Sequence, residues 1–99
     1  MHINDLLATA VARGASDLHM KVGSFPMLRI DGTLMPATQE KRLDPVDMEG
    51  MAATLLNAEQ RAKYDKSQEV DVAYAVPALG RFRCNVFQQR GTIGVVLRD

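Results

Sequence analysis

The chain has 99 residues, enough for one small domain and not two. Hydrophobic residues make up 46% of it and charged residues 24%, with no low-complexity run, so the composition is that of a globular domain with one modest core. Twelve basic residues balance twelve acidic ones, which argues against a general polyanion or nucleic-acid binder.

Ile3, Leu6, Leu7, Ala10 and Val11 recur at the spacing of an amphipathic helix, with Asn4 and Asp5 in its first turn and Gly14 at its C′ position. Residues 17–22 then alternate, placing Leu18, Met20 and Val22 on one face of a strand. After a turn at 23–26, Met27 to Ile30 enters Asp31-Gly32 and returns as Thr33 to Met35. An Asp-Gly pair between apolar runs signals a hairpin, because a type I′ turn needs positive φ at both central residues. Pro36 closes it.

Asp44-Pro45 predicts a helix start, an N-cap followed by proline at the first helical position, with Asp47 placed for a capping box. Met48, Met51, Ala52, Leu55 and Leu56 form its apolar stripe, read as core rather than a ligand groove. Asn57 stops this helix, and residues 58–64 predict another short one. Val70, Val72, Tyr74 and Val76 alternate as a strand, and residues 77–80 turn the chain. A long strand follows from Arg81 to Gln89, then a turn at Arg90-Gly91 and a last strand from Thr92 to Arg98. The order predicts an α+β fold: an antiparallel sheet with helices packed on one face.

The balanced charge hides a local imbalance. Residues 44–71 hold seven acids against three bases, whereas residues 80–98 hold Arg81, Arg83, Arg90 and Arg98 and no acid. If Arg90-Gly91 is a two-residue loop, Gln89 pairs with Thr92, Phe87 with Gly94, Asn85 with Val96, and Arg83 with Arg98. Period two then gathers Arg81, Arg83, Asn85, Phe87, Gln89 and Arg98 on one face. It sends Phe82, Cys84, Val86, Ile93, Val95 and Leu97 to the other. Gly94 leaves room beside Phe87 on the polar face. Two arginines directly opposite each other repel, so something should offset them: an acid elsewhere in the fold, or a bound phosphate whose oxygens match the guanidinium fork.

Cys84 is the lone cysteine, which excludes an internal disulfide and a Cys-based zinc site and fits a reducing cytosol. The first residues lack the basic and apolar regions of a signal peptide, and no apolar run approaches the ~18–20 residues that span a bilayer. A cytoplasmic protein without membrane insertion is expected. No glycine-rich loop ending in Gly-Lys-Ser/Thr is present, His2 and His19 are isolated, and no metal site is expected. Alone, the chain is expected to catalyse nothing. It ends within the strand-like run Val95 to Asp99, which points to a longer protein.

Residues 14–20, Gly-Ala-Ser-Asp-Leu-His-Met, resemble the signature near the start of PilT-type pilus retraction motors. Residues 26–32 continue that resemblance, and residues 80–91 resemble the arginine-rich strand pair at the end of the same domain; residues 37–68 resemble the family only loosely. The resemblance implies a PAS-like N-terminal domain spanning residues 1–99, with a RecA-like ATPase domain following Asp99. It implies a cytoplasmic hexamer working with the inner-membrane pilus machinery in twitching motility. ATP, with Mg expected in the parent protein, would sit in the cleft between the domains, and this domain alone would hold no cofactor. Arg83 and Arg98 match the positions that reach the triphosphate, with Arg81 beside them. Arg90, Asp17 and His19 belong to the motifs; additional or inter-subunit roles are expected for them. Two other readings stay open: a free-standing PAS-like module for a ligand or protein, and an interaction domain whose arginines meet acids of a neighbour, including those of residues 44–71 in another copy.

Overall fold

The computed structural model describes residues 2–99. The elements run α1 (Ile3–Ala12), β1 (Asp17–Lys21), β2 (Met27–Ile30), β3 (Thr33–Pro36), α2 (Pro45–Leu55), α3 (Ala58–Ser67), β4 (Glu69–Val76), β5 (Gly80–Gln89) and β6 (Thr92–Arg98). This is the order that the sequence predicts. Every strand pairing is antiparallel, in one sheet of order β3-β2-β1-β6-β5-β4. The fold is α+β.

Local chemistry sets the element ends. α1 closes in paired bonds from Gly14 N to Val11 O (3.1 Å) and Ala15 N to Ala10 O (2.9 Å), with Gly14 at φ +70°. That is the C-terminal motif a glycine at C′ permits. At the start of α2, Asp44 Oδ1 accepts from Asp47 N (2.7 Å) and Asp47 Oδ2 from Asp44 N (2.9 Å). Asn57 and Gln60 repeat the box at the start of α3. Both two-residue hairpin turns have positive φ at their centres: Asp31 (50°) with Gly32 (80°), and Arg90 (52°) with Gly91 (78°). They are the I′ geometry that suits the right-handed twist of the strands.

One face of the sheet carries the core. Leu18, Met20, Leu28, Val70, Val72, Phe82, Cys84, Val86, Ile93, Val95 and Leu97 meet Ile3, Leu6, Leu7 and Ala10 of α1, the α2 stripe, and Tyr64 of α3 in a single buried cluster. The methionines of α2 are therefore core, as expected. Val11 is the exception to the predicted α1 stripe: it is 47% exposed, because it lies at the margin of the helix's buried face. The Cys84 thiol is buried, and burial, with the nearby Asp71 charge adding to it, pushes its pKa up to about 12. It behaves as a small apolar side chain. No helix among the described residues is long and apolar enough to cross a membrane.

Candidate functional site: an arginine pair on the open sheet face

The opposite face of the sheet has no helix on it, and the register of β5 and β6 is the one read from the turn: Gln89↔Thr92, Phe87↔Gly94, Asn85↔Val96 and Arg83↔Arg98. Gly94 meets the Phe87 ring closely. A Cβ built there would lie 2.5 Å from the Phe87 Cε2 atom, so any larger residue would push the ring from its present position. One transverse row crosses all six strands: Leu34, Arg29, Asp17, Arg98, Arg83, Ala73. Neighbouring strands lie about 4.8 Å apart, so this row places charges in the order plus, minus, plus, plus.

The minus charge is already engaged. Asp17 accepts from Ser16 Oγ (2.6 Å), from His19 Nε2 and from Arg29 Nε (3.3 Å), and its side chain is 10% exposed. Burial alone would push its carboxyl up; the hydrogen bonds from Ser16, His19 and Arg29 outweigh this and hold it below the usual carboxylate range. Arg29 also donates to Gly32 O (3.0 Å), which ties the β2–β3 turn to the row.

The acids of residues 44–71 are occupied elsewhere. Asp44 and Asp47 cap α2 and pair with Lys41. Glu49 and Asp65 hold Arg61 and raise the pKa of its guanidinium, and Glu59 lies in the first turn of α3. Glu69 and Asp71 take hydrogen bonds from Asn85. Among the described residues, Arg83 and Arg98 make no salt bridge, and both are exposed. They share a concavity of about 100 Å³ with Asp71, Asn85 and Val96.

The other predicted residues fall around this pair. Arg81 lies on the same face, opposite Ala75, two residues beyond the last β5–β6 pair. Asp17 and His19 stand on β1, across from Arg98 and Val96. Arg90 is at the turn, seven residues along β5 from Arg83 and so roughly 20 Å away. It does not join the pair. Sequence reasoning missed the Arg29–Asp17 ion pair and the grip of Asn85 on Glu69 and Asp71.

No protein-family model matches the chain. It is 34% identical to the type IV pilus retraction ATPase PilT of Pseudomonas aeruginosa over 99% of its own length and 28% of that protein. It is 33% identical to the type IV pilus ATPase PilU of the same organism, over 99% of its length and 25% of PilU. The chain is homologous to PilT and PilU over its whole length. A crystal structure of the pilus retraction motor PilT with bound ADP superposes on all of it, with a TM-score of 0.92 and 35% identity, over 29% of that chain. The match is to the N-terminal domain of PilT. The Legionella pneumophila ATPase DotB shares the fold, with a TM-score of 0.81 at 21% identity, over 97% of this chain and 27% of DotB. The chain thus spans about a quarter of the length of the curated PilT-type relatives it matches.

Proposed function

We propose that this chain works as the N-terminal domain of a PilT-like hexameric ATPase of the cytoplasm that drives pilus retraction at the inner-membrane machinery. In this reading Arg83 and Arg98, with Arg81 beside them, bind the triphosphate of ATP in the cleft facing a RecA-like domain that follows Asp99. The observation that carries it is the direct Arg83–Arg98 pair, exposed and without an acidic partner among the described residues. Bringing two guanidiniums side by side costs free energy that an anion between them would recover. The PilT structure with bound ADP supports a nucleotide as that anion. The same face continues into a trough of about 480 Å³ with apolar walls at Met27, Leu34, Phe87 and Val96, a surface suited to being covered by another domain or subunit.

The donor set fits phosphate oxygens and not a magnesium ion, which a cluster of cations repels; Mg would be held by the ATPase domain. The arginines would then act as charge sensors. They bind the phosphates tightly only when the cleft closes, so nucleotide state biases the angle between the domains. Arg90, far from the pair, is proposed for contact with a neighbouring subunit, and Asp17 and His19 for holding the row in place.

The test is ATP affinity and turnover of the full-length protein. Arg83→Ala and Arg98→Ala are each expected to weaken ATP binding by about tenfold or more, the loss of a charge-assisted contact of roughly 1.5–3 kcal/mol. Unchanged binding and turnover in both variants removes the phosphate role.

A further inference from the structure

We infer that Asn85 keeps the arginine pair open to an anion by holding Asp71 away from it, an inference that rests on the phosphate reading above. Asp71 stands opposite Asn85 on the open face, two residues along β4 from Ala73, which lies opposite Arg83. It is therefore a diagonal neighbour of Arg83, at a separation that a long side chain spans. It also lines the concavity that Arg83 and Arg98 share. Opposite charges this close, on an exposed face, pair unless another contact holds one of them.

Asn85 supplies that contact. Its Nδ2 donates both protons to carboxylates, one to Asp71 Oδ1 (2.8 Å) and one to Glu69 Oε1 (3.1 Å). An amide satisfies the acids' oxygens, so the guanidinium donors of the two arginines are left free for an incoming anion. Glu69 lies opposite Phe87, two residues farther along β4 from Arg83, which makes Asp71 the competitor. Ala73, directly across from Arg83, contributes no acid of its own. Without Asn85, Asp71 is free to swing onto Arg83 and close the site from within.

The experiment titrates the isotope-labelled 99-residue chain with inorganic tripolyphosphate and reads the dissociation constant at the Nε–Hε signals of Arg83 and Arg98. Asn85→Ala is expected to weaken binding about two- to fivefold, the scale of an exposed ion pair set in competition. Adding Asp71→Asn to it is expected to restore the wild-type value, which a merely structural role for Asn85 does not predict. Asn85→Val, which also lacks the donor but keeps strand preference, repeats the measurement should the alanine variant lose stability. Unchanged affinity in both Asn85 variants, or a loss that Asp71→Asn does not rescue, overturns the inference. Arg83→Ala, read at Arg98, separates it from its premise. If that variant binds as the wild type does, the phosphate reading itself falls.

Discussion

Asp17 sits between two arginines, Arg29 on one side and Arg98 on the other, and bonds only the first. Its oxygens accept from Ser16, His19 and Arg29 and not from Arg98, which makes no ion pair with it. Because its folded-state carboxyl lies below the ordinary value of 3.8, this residue stabilises the fold above about pH 4, and that contribution is lost as pH falls through the folded value. Asp17→Asn is therefore expected to cost about 1 kcal/mol at neutral pH, with the gap to the wild type shrinking as pH drops from neutral into the acid range. Thermal unfolding of both proteins across that range checks it; a gap that stays constant with pH would show that the carboxylate's charge is irrelevant. The Arg83–Arg98 pair was legible in the sequence because a two-residue turn fixes parity and register together. The partners of Asp17 were not, because the longer turn between β1 and β2 leaves their register open. The hold of Asn85 on Asp71 was hidden for the same reason, behind the loop between β4 and β5.

At the scale of elements, the helices with written caps were the easiest to read. Asp44-Pro45 and Asp47 announce α2, and both bonds of the box are present. The end of α3 was harder: the expected stop near Tyr64 gives way to a helix that runs to Ser67. It ends at Gln68 in the left-handed region (φ 63°), where no glycine marks the cap. α2 bears little intrinsic preference for its start beyond the cap and the proline, so the cap is expected to matter. Asp44→Ala should lower stability by about 1 kcal/mol and shift the urea midpoint down without changing the slope. A midpoint equal to that of the wild type would mean that water replaces the lost cap bond to Asp47 N without cost.

The whole molecule is held together by the strand whose position the sequence disclosed least. The alternation of β6 marks it as a strand with one apolar face, but nothing in it says that it lies in the middle of the sheet. It inserts between β5 and β1, so that Leu97 pairs with both Cys84 and Leu18, and Val95 with both Val86 and Met20. The β1–β6 pairs join residues some eighty positions apart, contacts that form only after a long loop closes. Without β6 the sheet divides into β3-β2-β1 and β5-β4, and the buried side chains of Ile93, Val95 and Leu97 leave the core. Burying each contributes roughly 1.5–3 kcal/mol, and together they rival the whole stability of about 5–15 kcal/mol expected for a domain of this size. A chain ending at Gly91 is therefore expected to lose cooperative folding, seen as collapsed amide dispersion in its NMR spectrum and no thermal transition. A cooperative transition in that shortened chain would show that the two halves of the sheet fold without their shared strand. The arginine row, which crosses from β1 through β6 to β5, would then need some other frame to hold Arg83 in place.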